Sequence, residues 1–147
     1  MNGSAKIQSS HLQRRAVVYL RQSSPKQVLQ HRESAVYQRA LRERLLNLGW
    51  KKNQVTVIDE DQGLSAKHAS GREGFQKLAA DVALGKVGIL VGYEVNRLAR
   101  NCADWHRLLE LCALFDTLLG DADGIYSPHD FNDRLLLWLK GTMSEAE

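Results

Sequence analysis

The sequence predicts an α/β domain with a mostly parallel central sheet of four to five strands and helices on both faces. Short apolar runs rich in β-branched residues alternate along the chain with longer segments whose apolar residues recur at helical spacing. The run 87–93 is apolar almost throughout, which is typical of a parallel strand that is covered on both faces. The regular alternation of strand and helix indicates parallel strands joined by helical crossovers.

The predicted strands are short runs in which valine, isoleucine, leucine and threonine dominate, as strand interiors favour. They cover residues 15–21, 55–58, 87–93 and 117–119.

The helices are predicted from apolar stripes at intervals of three and four residues. The first covers 25–48 and is expected to end at Gly49, and the second is expected to end at Gly85. The last begins at about Asp130. The stripes of the first three helices are Tyr37, Leu41, Leu45 and Leu48; Phe75, Leu78, Ala79 and Val82; and Trp105, Leu108, Leu109, Cys112 and Phe115, where Cys112 is interpreted as a core residue.

The segment 59–71 is predicted to be a polar loop. Its thirteen residues exceed the usual connection in an α/β domain, which has about four to six. It contains Gly63, Ser65, Ser70 and Gly71, and a loop of this length is often functional.

The bulk composition allows one globular domain with a weak preference for anionic partners. The chain has 147 residues, 44% of them hydrophobic and 25% charged, which is enough for a real core. The net charge is +3, and twelve arginines against eight lysines favour bidentate contacts with phosphate.

Several classes of protein are disfavoured. No apolar run approaches the roughly 18 residues that span a membrane. The polar segment 1–13 lacks the apolar centre of a secretory signal and is predicted to be a flexible tail. Cys102 and Cys112 are the only cysteines, which suits a reducing cytoplasm. No metal-ligand spacing and no glycine-rich phosphate loop occurs, so no metal or other cofactor is expected.

The end of the first strand allows two interpretations. Arg21 is followed by Ser23, Ser24 and Pro25. A serine hydroxyl can cap the first turn of a helix whose first position is proline. A serine beside an arginine can also be a nucleophile next to a bound phosphate. Both interpretations can hold, and the stretch alone favours the cap.

Polar residues follow all four predicted strands. Because parallel strands end at one edge of the sheet, where ligands bind in such folds, these residues are expected to gather there. They are Arg21, Ser23 and Ser24 after the first strand; Asp59, Glu60, Asp61, Ser65 and Arg72 after the second; Glu94, Asn96, Arg97 and Arg100 after the third; and Asp121 and Asp123 after the fourth.

Four arginines around a serine suit phosphoryl transfer. The transition state of a phosphodiester spreads negative charge over its equatorial oxygens, and preorganised guanidinium groups neutralise that charge without a metal. Each arginine alone would be interpreted as a surface residue, so the prediction depends on their convergence. No histidine follows the strands in a triad-like arrangement, which disfavours a hydrolase triad.

Four blocks of sequence resemble the catalytic domain of the serine recombinases, the group of resolvases, invertases and large serine integrases. They are 19–27 (YLRQSSPKQ), 61–66 (DQGLSA), 72–75 (REGF) and 96–100 (NRLAR). The blocks occur in the family's order, and the likeness covers roughly residues 15–147.

The resemblance implies a role for each matching residue. Ser23 matches the nucleophile that attacks a DNA phosphodiester and holds the 5′ phosphate as a phosphoserine, while a 3′ hydroxyl is freed. Ser24 remains the candidate helix cap, and Tyr19 is interpreted as a packed strand residue. The other matches are the phosphate-binding arginines Arg21, Arg72, Arg97 and Arg100, the supporting residue Gln27, and the loop residues Asp61 and Ser65.

One position departs from the family. Asn96 stands where the family usually has aspartate, and an amide cannot titrate. If that aspartate takes part in proton transfer in other members of the family, this protein must use another group or react more slowly. Asp61 is one candidate substitute, and an arginine that protonates the leaving group through its bound network is another. An alternative is therefore a non-catalytic DNA-binding or assembly module of the same fold. A small-molecule phosphoryl-transfer enzyme is disfavoured by the absence of nucleotide and metal motifs.

The resemblance also implies the context of the domain. Residues 14–147 are expected to be the catalytic domain, and the helical pattern at the chain's end suggests that more protein follows. In the family a long helix supports dimers and tetramers and leads to separate DNA-binding modules. Double-stranded DNA and further copies of the protein are therefore the expected partners. Integration, resolution, inversion and transposition all stay open.

Overall fold

The structure, a computed structural model, describes residues 6–20, 31–59, 70–92, 98–99, 102–121 and 124–146. A short 3-10 helix, Lys52–Gln54, leads into the second strand. The other elements are α1 (Ser9–Leu12), β1 (Arg15–Leu20), α2 (His31–Leu48), β2 (Val55–Asp59), α3 (Ser70–Ala83), β3 (Val87–Val91), α4 (Cys102–Leu114), β4 (Leu118–Gly120), β5 (Ile125–Tyr126) and α5 (Phe131–Ala146).

The strands form a sheet in the order β2-β1-β3-β4-β5. The first four strands of the chain pair in parallel, and β5 runs antiparallel to β4. This confirms the predicted α/β class with a mostly parallel sheet. β5 is missing from the predicted strands because two residues are too few to show an alternation.

Helices cover both faces of the sheet, as predicted. Successive side chains of a strand point to opposite faces. Val17 and Tyr19 of β1 therefore lie in one apolar cluster, with residues of α3, α4 and α5. Ala16 and Val18 lie in the other, with residues of α2 and the N-terminal segment. Most of the predicted stripe residues are buried in these two clusters, among them Leu41, Leu45, Leu78, Val82, Trp105, Leu108, Leu109 and Cys112.

Two helix ends agree with the glycine signals of the sequence. Gly49 follows α2 with a φ of 126°, and Gly85 follows α3 with a φ of 75°. Residues with a Cβ rarely adopt these left-handed conformations, so glycine is the favoured residue at both positions. The predicted start of the first helix, 25–30, lies outside the described residues.

The predicted bounds of the loop 59–71 are wrong at both ends. Asp59 is the last residue of β2, and α3 already begins at Ser70. Serine and glycine are weak helix formers in a helix interior but are accepted in the first turn, so Ser70 and Gly71 gave a misleading loop signal. Residues 60–69 lie outside the described part of the chain.

Residues 6–13, part of the segment predicted to be a flexible tail, pack against the sheet. Ile7 and Leu12 contact the apolar cluster under α2. The Nζ of Lys6 donates to Oδ2 of Asp133, at the start of α5, over 2.7 Å. The N-terminal segment thus joins two distant parts of the fold.

Arg14 fastens this segment to the amino end of the sheet. Its guanidinium group donates to the backbone carbonyls of Val87 at 2.9 Å, Phe115 at 3.1 Å and Asp116 at 2.8 Å. Its Nε donates to the carbonyl of Ser10 at 3.1 Å. One side chain therefore satisfies carbonyls from α1, β3 and the turn before β4, which would otherwise need water as their donor.

A bulge in β3 accommodates the end of α1. Arg15 of β1 pairs with Val87, but Ala16 pairs with Ile89, so Gly88 is an extra residue on β3. The carbonyl oxygen of His11 lies where a Cβ of Gly88 would be. The missing side chain at Gly88 is therefore what allows α1 to approach the sheet.

Helix α5 is held against α4 by a similar close approach. The indole Nε1 of Trp105 donates to the carbonyl of Leu137 over 2.9 Å. A Cβ at Gly141, one turn further along α5, would overlap the indole ring. Leu137 and Gly141, four residues apart, thus lie on the buried face of α5.

We predict that Gly88→Ala lowers the free energy of unfolding by about 1–3 kcal/mol, because the new methyl group forces the His11 carbonyl away. That carbonyl also accepts a hydrogen bond from Nε1 of Trp50 at 3.1 Å, which the displacement would weaken. Urea denaturation measures the change. Gly124→Ala is the matched control, since the nearest atom to its new Cβ is 4.0 Å away. Equal stabilities for the two variants would contradict the prediction.

Candidate active site

The carboxyl ends of three neighbouring strands form the frame of the candidate site. In the register of the sheet, Leu20 at the end of β1 pairs with Asp59 at the end of β2. On the other side, Val18 of β1 pairs with Val91 at the end of β3. Adjacent strands lie about 4.8 Å apart, so these three ends span roughly 10 Å. β1 is the middle strand of the three.

The segments that carry the predicted site residues continue from these three ends. Arg72 belongs to the first turn of α3, but its side chain lies outside the described part of the chain. The remaining predicted site residues, and the variant position Asn96, also lie outside it. They are Arg21, Ser23, Ser24, Gln27, Asp61, Ser65, Arg97 and Arg100.

Two residues of the fourth sequence block are described, and both are core residues. Leu98 is 1% exposed and Ala99 is 6% exposed, and both belong to the apolar cluster with Tyr19 and Trp105. They are the two residues between Arg97 and Arg100. The block thus has an apolar centre that is anchored in the core.

Gly92 brings Leu98 close to the end of the sheet. The N–H of Gly92 donates to the carbonyl of Gly120 over 3.1 Å, which continues the pairing beyond β3. A Cβ at Gly92 would lie 2.8 Å from Cδ2 of Leu98 and 3.3 Å from the carbonyl oxygen of Tyr19. The absence of that Cβ lets Leu98 lie directly over the chain where it leaves β3. Sequence reasoning missed this contact, since a glycine after a strand ordinarily indicates a turn.

Tyr19 is a packed strand residue, as the sequence predicts. It is 2% exposed and belongs to the same apolar cluster as Leu90 and Leu98. Its burial beneath the helices separates it from solvent-borne substrates.

Asp121, which was expected among the acids of the site, forms the turn between β4 and β5. It is 3% exposed, and its Oδ1 accepts hydrogen bonds from the N–H of Gly124 at 3.1 Å and the hydroxyl of Tyr126 at 3.4 Å. Nη1 of Arg44 donates to its backbone carbonyl over 2.7 Å. These contacts give Asp121 a structural role at this edge. Asp123 lies outside the described residues.

The described ranges contain neither a candidate metal-binding cluster nor a helix that could span a membrane. Within them, no group of three or more His, Cys, Asp or Glu side chains could hold a metal ion. Of the helices in this part of the chain, none is long and apolar enough to cross a membrane.

Comparison with known proteins identifies the class of protein to which this fold and frame belong. Residues 16–147 match the family model described as the N-terminal domain of resolvases. The chain therefore belongs to that family, whose domain is the catalytic domain of the serine recombinases. The resemblance found in the four sequence blocks is confirmed, and the family implies DNA binding.

A relative in Sinorhizobium fredii (strain NBRC 101917 / NGR234) is similar over almost the whole chain. It is described as the uncharacterized protein y4bA/y4pH and is 57% identical over 142 residues. The alignment covers 97% of this chain and 20% of the relative, so the chain spans about a fifth of that protein's length.

Cys112 is a core thiol, as the sequence predicts. It is fully buried in α4, and burial raises the pKa of the Cys112 thiol far above its ordinary range. The thiolate is the reactive form, so the folded protein keeps Cys112 unreactive. The thiol pKa is higher in the folded protein than in the unfolded chain, so at high pH the unfolded chain loses a proton that the folded protein keeps. The free energy of unfolding therefore decreases as pH rises above the ordinary thiol pKa of about 8.5.

We predict that iodoacetamide at pH 9 leaves Cys112 unmodified in the folded protein and labels it in urea. A Cys102→Ser background ensures that any label reports on Cys112 alone. Mass spectrometry measures the extent of labelling with time. Labelling of the folded protein at the rate of the unfolded protein would contradict the assigned burial.

Proposed function

We propose that this chain is the catalytic domain of a site-specific DNA recombinase that uses Ser23 as its nucleophile. The observation that carries the proposal is the order of the sheet. The segments with Ser23, with Asp61 and Ser65, and with Arg97 and Arg100 continue from β1, β2 and β3, which are neighbours. The segment that contains Ser23, the proposed nucleophile, continues from β1, which lies between the other two strands.

The proposed reaction exchanges one phosphate ester for another at each step. The Oγ of Ser23 forms a bond to phosphorus while the bond from phosphorus to the 3′ oxygen breaks. The hydroxyl of Ser23 gives up its proton as its bond to phosphorus forms, and the departing 3′ oxygen takes up one proton, so the number of protons is unchanged. The 5′ phosphate stays on the serine. Attack by a 3′ hydroxyl of another DNA end reverses these changes and releases the serine. No nucleotide cofactor is required, because one ester replaces another at each step.

Arg21, Arg72, Arg97 and Arg100 are proposed to neutralise the charge that develops on the phosphate. Guanidinium groups stay protonated and donate in a planar fork, which suits the equatorial oxygens of the transition state. Gln27 is proposed to support the site through its amide. Asp61 is proposed to transfer the proton that the family's aspartate would handle at the position of Asn96, and Ser65 to contribute a hydroxyl from the same loop.

The competing proposal is a non-catalytic DNA-binding or assembly module of the same fold. The amide at Asn96 favours it, because this position has lost a titratable group. Such a module would bind DNA and associate with further copies, but would form no covalent link to DNA. The formation of an adduct therefore decides between the two.

The proposed partner is double-stranded DNA, bound by this domain mainly through phosphates and with little choice of sequence. Site selection is assigned to other parts of the full-length protein. A DNA substrate and two cysteines without a disulfide are compatible with action in a reducing cytoplasm. Integration, transposition, resolution and inversion would use the same chemistry and differ in the arrangement of the sites.

Self-association through α5 is also proposed. The buried side of α5 faces α4, while large apolar side chains on the rest of the helix are between 43% and 76% exposed. They are Phe131, Leu135, Leu136, Trp138 and Leu139. An exposed apolar surface of this kind is typical of a protein interface.

We predict that Ser23→Ala abolishes the covalent protein–DNA adduct, because the bond to phosphorus forms at that hydroxyl. The substrate is a nicked duplex that carries the site which the full-length protein selects from a randomised DNA pool. Denaturing gels and mass spectrometry detect the adduct. Ser24→Ala is the matched control and should retain it. An adduct that survives Ser23→Ala would exclude Ser23, and no adduct with the unmodified protein would favour the non-catalytic module.

We predict that Leu135→Glu with Leu139→Glu weakens self-association of the full-length protein at least about tenfold, since burial of one leucine contributes about 1.5–3 kcal/mol. Sedimentation velocity measures the oligomer population against concentration. Leu84→Glu with Leu114→Glu is the control, because these leucines are 67% and 74% exposed away from α5. A larger effect of the control pair would assign the interface elsewhere.

A further inference from the structure

The amino end of the sheet carries a group of exposed cationic side chains. The parallel strands β2, β1 and β3 are neighbours and all begin there. The N–H of Arg15 donates to the carbonyl of Lys86 over 2.9 Å, and the 3-10 helix Lys52–Gln54 leads directly into β2. Because adjacent strands are about 4.8 Å apart, the three strand starts span roughly 10 Å. The exposed cations at these starts are Arg15, Lys51, Lys52 and Lys86.

Helix ends offset only part of this positive charge. α2 and α3 end at this side of the sheet, and each helix end contributes about half a negative charge. α4 also ends here, but Arg14 already donates to two carbonyls after its last turn. Asp116 adds one carboxylate, and Asp81 is paired with Lys77 at 3.7 Å. Among the described residues, the four exposed cations therefore leave about two positive charges uncompensated on this surface.

Thr56 holds the guanidinium group of Arg15 in place on this surface. Nη1 of Arg15 donates to Oγ1 of Thr56, on the neighbouring strand β2, over 2.9 Å. A guanidinium group has five N–H donors, so this contact orients the group and uses only one of them. The other donors suit a bidentate contact with a phosphate group.

A polar groove lies beside these cations. It has a volume of about 550 Å³ and is open to solvent. Pockets for small organic ligands are mostly apolar, so a polar lining favours a ligand with many polar groups. Hydroxyl, amide and ammonium groups are common donors to the phosphates and sugars of DNA. The groove is lined by Leu12 and Gly49 together with the polar residues Ser9, Gln13, Lys51, Asn53 and Gln54.

We propose that this basic surface, formed by the four exposed cations and the groove, binds the sugar–phosphate backbone of a second DNA duplex. Its span of roughly 10 Å corresponds to about three phosphates of one strand, at 3.4 Å each along the helix axis. DNA is the polyanion that the family of this chain implies as a partner. The basic surface contains none of the residues proposed for strand cleavage.

The second duplex is distinct from the one at the candidate active site. β1 has six residues, each about 3.3 Å long, so its amino and carboxyl ends are about 20 Å apart. Duplex DNA has a persistence length of about 150 base pairs. A duplex that lies across the carboxyl ends therefore does not fold back onto the amino ends.

Capture of a second duplex tests the proposal with the full-length protein. The protein is first saturated with an immobilised duplex that carries its selected site, and binding of a labelled duplex of random sequence is then measured at several salt concentrations. Lys52→Gln with Lys86→Gln should weaken this capture. It should also make the slope of log K against log salt concentration shallower by about 1.8, since each phosphate contact contributes about 0.9.

Two further pairs of substitutions control for net charge and for the chemistry of the side chain. Arg39→Gln with Arg107→Gln removes two exposed cations from α2 and α4, away from the amino end, and should leave the slope unchanged. Lys52→Arg with Lys86→Arg keeps both charges and should retain the slope. An equal change in the Arg39 and Arg107 pair, or no change in the Lys52→Gln and Lys86→Gln pair, would overturn the proposal.

An acidic segment of a second copy is the competing occupant of the basic surface. In that case Lys52→Gln with Lys86→Gln would weaken self-association in sedimentation velocity and leave the capture of the second duplex unchanged, which would also overturn the proposal. Capture requires no cleavage, so it decides this proposal whether or not an adduct forms. Failure to form an adduct would count against the proposed function alone.

Discussion

The pairing of β1 on both of its edges is the constraint on which the rest of the structure depends. β1 lies between β2 and β3, and its side chains enter both apolar clusters. A strand that is paired on both sides and covered on both faces has little freedom to shift its register. The carboxyl ends of its neighbours are fixed with it. The chemistry proposed for the segment after β1 relies on this rigidity, because phosphoryl transfer is mainly a matter of positioned charge.

The fold could be predicted from the sequence where the periodic signals are long. The stripes of α2, α3 and α4, the apolar run of β3 and the glycines after α2 and α3 gave the architecture. The short elements α1 and β5 were not predicted, because each contains too few residues to show a period. The contacts of α1 come from tertiary partners such as the Gly88 bulge, and no local pattern of residues 6–13 indicates them.

The candidate site stays a prediction from residue types that follow particular strands, because the side chains that would form it lie outside the described part of the chain. Details that depend on packing could not be predicted. Leu98 appears in the sequence as a spacer between two arginines, whereas its burial shows an anchor. Asp121 appears as one more acid after a strand, although its carboxylate is engaged within a turn. Both differences arise because a sequence states which residues are near an edge but not which way they face.

The ion pair between Lys6 and Asp133 also bears on the order in which the domain can fold. The two residues are 127 positions apart, and the partners of Arg14 include carbonyls 101 and 102 positions away. During synthesis, Lys6 and Arg14 leave the ribosome long before the residues that they contact. Contacts of such separation carry a large closure entropy and form late. The contacts of Arg14 with the turn before β4 and of Lys6 with α5 therefore form only after those parts of the chain have left the ribosome.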